Sequence, residues 1–201
     1  MNKVAAKLLL GAAVLILSIG GSEAKEVRAR PTDPVYVALD LIRSTAASLL
    51  NVPPSKLPRP VLKYDSEGGD NAYAGNVGAF HKTITITGKG EISVSIRRIT
   101  PRTVLDDSSL EGLLTLAHEY GHVLYYAFNV HLDSHTEEIQ ATTIASKIAL
   151  GMGFSKVSIM KEYKKRQSEW GVNVNGSPLG SHPHPKAEWE ANIRNLEQME
   201  E

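Results

Sequence analysis

The stretch that decides the fold reads Ser108-Ser109-Leu110-Glu111-Gly112-Leu113-Leu114-Thr115-Leu116-Ala117-His118-Glu119-Tyr120-Gly121-His122. Ser108 to Glu111 fits a capping box, with Ser108 as N-cap and Glu111 at the third helical position. It predicts a helix running to about Phe128. Leu110, Leu114, His118, His122 and Tyr126 fall on one i, i+4 row of that helix. Two histidines thus interrupt an apolar stripe, and burying an imidazole there costs free energy unless it has a partner. Leu113, Ala117, Gly121 and Tyr125 form the adjacent row. Ala117 and Gly121 have almost no side chain, which lets a second helix approach closely.

The spacing of the two histidines puts both imidazoles one turn apart on one face. Both can reach a single zinc ion at about 2.0–2.1 Å. Glu119 lies roughly 100° around the helix, poorly placed as a ligand but within reach of a metal-bound water, as a general base must be. The competing reading is a core helix with two satisfied histidines. It accounts neither for Glu119 nor for the polar segment that follows.

A catalytic zinc site needs a third protein ligand and an open fourth position. The candidates are His131, His135, Glu137 and Glu138. Ser134-His135-Thr136-Glu137 reads as a second capping box, which assigns Glu137 to the start of another helix. Glu138 is then left to face elsewhere, above Ala141, Thr142 and Ala145, and is the preferred ligand. Those small residues suit a helix packed against Ala117 and Gly121. Gly151 and Gly153 punctuate its end near Leu150.

Outward from these helices the chain has average composition. Of 201 residues 42% are hydrophobic and 22% charged, with 22 basic and 22 acidic side chains and no cysteine. This excludes collagen-like, disordered and polytopic membrane chains, disulfide scaffolds and cysteine-ligated metal sites. A net charge of zero argues against a nucleic-acid partner. Residues 1–24 read as a secretory signal, with Lys3 and Lys7 before the apolar run Leu8 to Gly20 and a cut expected after Ala24. An uncleaved anchor is the alternative, disfavoured by the short apolar run. Export to the periplasm or medium follows, with no integral membrane segment in the mature chain. Residues 25–33 read as a flexible leader and residues 34–201 as one domain. Length fixes no oligomeric state.

Within that domain a helix is expected from about Pro34 to Leu50, stopped at Asn51, then an extended proline-rich connection over Pro53 to Pro60. Val61 to Tyr64 reads as a strand. Thr83 to Thr87 and Ile92 to Ile96 both alternate, so Gly88-Lys89-Gly90 predicts a hairpin between them. From residue 108 the pattern is helical, ending with Pro185 to Glu200, where Trp189 and Ile193 face the core. Lys161 to Arg166 reads as a solvated helix face, with contact to an anionic membrane or wall polymer as the alternative. His81 and His184 read as surface residues. Tyr120, Tyr125 and Tyr126 read as core or rim aromatics, one of them a secondary candidate for the oxyanion role.

His118-Glu119-x-x-His122 followed by Glu138-x-x-Ala141 resembles the gluzincin peptidases, and among them the family of the CAAX-prenyl endoprotease and several bacterial envelope proteases. Asn71-Ala72-Tyr73-Ala74 resembles the segment leading into that family's edge strand, and Ser181-His182-Pro183 its Thr/Ser-His-Pro motif. The resemblance spans about residues 61–194. It implies an α+β, zincin-like fold: a small antiparallel or mixed sheet packed on the active-site helix and a second ligand-bearing helix. It implies that His182 stabilises the oxyanion, against a purely structural role between Pro183 and Pro185. Two departures stand out. Thr142 occupies the place of an aspartate that would orient a zinc-bound histidine, and the family's membrane spans are missing.

The expected activity is zinc-dependent hydrolysis of peptide bonds in a peptide or protein substrate. One zinc per chain would be held by His118, His122 and Glu138, with Glu119 as base and the substrate extended along Thr83–Thr87 or Ile92–Ile96. The alternatives are a non-catalytic zinc-stabilised binding or chaperone-like module and a zinc hydrolase of cell-wall peptides.

Overall fold

The computed structural model describes residues 27–65, 71–77, 81–88, 91–171 and 185–199. Helix α1, Val35–Leu49, is followed by strands β2 (Val61–Asp65), β3 (Asn71–Val77) and β4 (His81–Thr87), with β1 (Val27–Arg28) ahead of α1. Among the described residues five further α-helices follow: α2 (Glu91–Arg98), α3 (Leu110–Ala127), α4 (Ser134–Gly151), α5 (Lys156–Gly171) and α6 (Pro185–Gln198). The fold is α+β.

The strands form one mixed sheet in the order β1-β2-β4-β3. β2 runs parallel to β4, while β1 on β2 and β3 on β4 are antiparallel. The register puts Leu62, Ala72, Ile84 and Ile86 on one face, all of them buried. That face continues into a core built from Leu39 and Ile42 of α1, Leu113, Leu116 and Tyr120 of α3, and Ile148 of α4. Tyr120 belongs wholly to this core. Its hydroxyl donates to the Pro58 carbonyl at 3.0 Å, and burial holds its proton well above the usual phenol range. Trp189 is buried and Ile193 half-buried, as the periodicity of the last helix requires.

The expected hairpin does not form. After β4 the chain turns at Gly88, where φ is +72°, and enters α2. Ile92, Ile96 and Ile99 recur at i, i+4 and i+7, and Ile96 and Ile99 are fully buried. Five alternating residues fit either period, and packing decides. At Gly112 of α3 a β-carbon would lie 2.8 Å from the Ile96 backbone nitrogen, so the two helices touch through main chain.

The expectation of a substrate-binding edge changes with this. Ile92–Ile96 is helical, and Thr83–Thr87 lies inside the sheet between β2 and β3. The edge beside α3 is β3. The alternation reading passed it over because Asn-Ala-Tyr-Ala-Gly-Asn-Val carries small residues where large apolar ones mark a strand.

Helix ends follow local chemistry. Asn51, Asn129 and Gly153 each take a positive φ after a helix. Behind them Val52, Val130 and Phe154 return N–H bonds to Ala47, Tyr125 and Ala149, closing three Schellman motifs. Among the described residues no helix is long and apolar enough to cross a membrane.

Candidate metal centre

α3 and α4 are joined by the short connection 128–133 and lie antiparallel: His118 meets Thr142, while His122 meets Glu137. Small residues permit the approach. Gly121 packs directly on Ala141, and Ala117 and Ala145 are buried nearby along the two helices.

The Nε2 atoms of His118 and His122 lie 3.2 Å apart. Glu138 Oε2 is 3.1 Å from His118 Nε2, and Glu138 Oε1 is 3.6 Å from His122 Nε2. The ligand atoms of these three residues all fall within 4.8 Å of one another, and the group could hold a metal ion. Their spacing is a direct test of fit. Three donors bonded at about 2.0–2.1 Å to a tetrahedral ion stand roughly 3.3 Å from each other. The two imidazole rings pack edge to face, their planes crossed at 79°.

The other ring nitrogens are occupied. His118 Nδ1 lies 2.9 Å from Thr142 Oγ1, and His122 Nδ1 lies 2.8 Å from Glu137 Oε1. In the neutral form with the proton on Nδ1 and donated to these oxygens, which a bound cation would favour, each Nε2 has a lone pair free for the centre. One expectation is corrected here. Glu137 does not close the helix start. Asp133 is the N-cap and accepts from the Thr136 N–H at 3.0 Å, which moves Glu137 one position further into the helix and frees its carboxylate for His122. At position 142 the threonine hydroxyl meets His118.

Electrostatics follow from this crowding. Burial alone would lower the His122 pKa. Hydrogen bonding to Glu138, the charges of Glu119 and Glu138 and the bond to Glu137 outweigh it and lift His122 to about 9. Glu119 is 7% exposed. Burial and the Glu138 charge hold its carboxyl above the ordinary range, against the opposing pull of both histidines and a backbone N–H bond from Ala74. That N–H belongs to β3, so the edge strand contacts the carboxylate beside the group.

Other candidates fall away from the site. His131 and His135 are exposed. Tyr126, one turn beyond His122, is 40% exposed and stands in the field of Glu137, Glu119 and Glu138, which with its own partial burial raises its phenol pKa. His182 and His184 lie outside the described residues, as does the His81 side chain. The expected capping box of α3 does not form: Asp107–Ser109 form a 3-10 turn, no side chain caps the helix, and Glu111 pairs with Lys165 at 3.5 Å. Arg166 is not part of a solvated face. It donates to the Glu111 carbonyl at 2.7 Å and to Thr115 Oγ1 at 3.0 Å.

Sequence reasoning missed Glu137 and Thr142 as histidine partners and Ala74 as the support of Glu119. Only the first left a signal, in the Asp133-Ser134 pair that offers two competing caps. No protein-family model, curated protein or solved structure matches the chain.

Proposed function

We propose that the protein is a zinc-dependent endopeptidase of zincin type, akin to the gluzincins, exported after removal of residues 1–24. The observation that carries this reading is the convergence of His118, His122 and Glu138 at tetrahedral spacing beside a buried carboxylate, Glu119, that is not one of the three. Two histidines and a glutamate are a ligand set that suits catalytic zinc and leaves a fourth position for water or substrate.

Zinc held there supplies Lewis acidity toward a water molecule and the scissile carbonyl. Glu119 takes a proton from the attacking water and returns it to the leaving amine nitrogen. The Ala74 N–H keeps that carboxylate oriented. The substrate lies extended along β3, the edge strand on the Glu119 side, where main-chain pairing selects peptides and not a particular side chain.

The test uses the purified protein, its metal content by elemental analysis, and hydrolysis of a reduced, alkylated protein with and without chelator. One zinc per chain and chelator-sensitive cleavage are expected. Glu119→Gln should keep the zinc and lose at least about 10²–10⁴-fold in rate. Cleavage at the parent rate by that variant overturns the mechanism. Bound zinc with no cleavage by the parent supports the binding-module reading instead.

A further inference from the structure

We propose that Glu137 and Thr142 are positioning residues that share the orientation of the two histidines unequally, an anion on His122 and a neutral hydroxyl on His118. The inference rests on the metal-site reading above. Both contacts are short, 2.8 Å for Glu137 and 2.9 Å for Thr142. Both residues lie on α4, flanking Glu138, so one helix provides a ligand and both histidine partners. Neither side chain has a competing local duty that accounts for its place. Asp133 caps the helix, and the Glu137 backbone N–H bonds to the Asp133 carbonyl. Thr142 is 4% exposed and its hydroxyl points at an imidazole.

The unequal pairing has a physical sense. Glu138 and Glu119 already place two carboxylates in a buried site. A third carboxylate at the buried position 142 would add a desolvation cost. Glu137 is the more exposed partner, its side chain 20% accessible, and can carry charge more cheaply. A carboxylate acceptor fixes the tautomer and raises the basicity of the histidine that donates to it. His122 is therefore the stronger of the two imidazole donors, and loss of Glu137 weakens metal binding more than loss of Thr142.

The experiment measures zinc dissociation constants by competition with a chromophoric chelator, together with the visible spectrum of the cobalt-loaded protein and melting of the metal-free protein. The proteins are the parent, His122→Ala, Glu137→Ala, Glu137→Gln, Thr142→Val and Thr142→Ser. Glu137→Ala should bind zinc about 100-fold more weakly and Thr142→Val about tenfold. Glu137→Gln, which keeps an acceptor and loses the charge, should fall between Glu137→Ala and the parent and shift the cobalt bands. Thr142→Ser should restore the parent value to within about twofold, because the acceptor is kept. Parent affinity in both Glu137 variants, with a lowered melting point in the metal-free state, would assign Glu137 to the helix end and overturn the proposal. Equal losses in Glu137→Ala and Thr142→Val would overturn the asymmetry. A parent protein that binds no zinc, like His122→Ala, overturns the metal site itself, a result distinct from either.

Discussion

Gly121 and Ala141 meet backbone against backbone: a β-carbon on Gly121 would stand 3.0 Å from the Ala141 Cα and 3.3 Å from its carbonyl oxygen. This contact sets the separation of α3 and α4, and with it the gap between the His118 and His122 nitrogens on one helix and the Glu138 oxygens on the other. A glycine is needed there for the space it leaves.

Replacing Gly121 should therefore damage the site before it damages the fold. Gly121→Ala gains about 1 kcal/mol of helix propensity and loses a similar amount to crowding. Its urea midpoint should stay near that of the parent while zinc affinity drops. Gly121→Val should lose about 1–3 kcal/mol and retain no zinc after gel filtration. Full zinc occupancy in the valine variant would show that the helix separation does not govern the ligand set.

Metal removal should lower the melting temperature. A ligand present at about 100 times its dissociation constant stabilises the folded state by roughly 2.7 kcal/mol. For a domain of this size that is about 5–10 °C. Calorimetry with zinc and then with excess chelator measures it. An unchanged midpoint would mean that no ion is bound by the native state.

Acid should expose the cap of α4. The Thr136 side chain and its backbone N–H hold the Asp133 carboxyl below its usual 3.8. A depressed native pKa means the unfolded chain binds more protons between the two values, so stability rises with pH there. The contribution is complete above the ordinary aspartate range and lost as pH falls through the native value. The stability gap between the parent and Asp133→Ala should thus close on acidification, followed by urea unfolding at each pH. A gap that persists unchanged to strong acid contradicts the cap.

Asn192 offers a stabilising change. It is 2% exposed, and neither its Nδ2 nor its Oδ1 has a hydrogen-bond partner among the described residues. Unmet buried polar groups cost about 1–3 kcal/mol. Asn192→Leu keeps the branching and removes both polar atoms; after some loss to its larger volume, it should raise stability by about 1 kcal/mol in urea unfolding. A decrease would reveal a partner for the amide.

Much of this arrangement is legible in the residues. The row Leu110, Leu114, His118, His122 fixes α3, and the small residues at 117, 121, 141 and 145 announce a close helix pair. Thr83 to Thr87 declares β4, and Asn51 ends α1. Two kinds of feature are not legible. Ile92 to Ile96 satisfies a period of two as well as it satisfies one turn of helix, and only contact with Gly112 chooses. At Asp133 and Ser134 two good caps compete, and a shift of one position moves Glu137 from the helix end onto His122. Ala74 contributes only its backbone N–H to Glu119, and a main-chain donor leaves no mark on side-chain identity.

The connection 128–133 has a consequence for how the molecule assembles. His118, His122, Glu137, Glu138 and Thr142 all belong to one helical hairpin, so gathering them closes a short loop at small entropic cost. Glu119 instead depends on Ala74, delivered by a strand from far earlier in the chain. The three grouped residues are local in sequence, and the support of Glu119 is not. Under the proposed mechanism, a form with its helices docked and its sheet still open would hold an ion while Glu119 lacked its support.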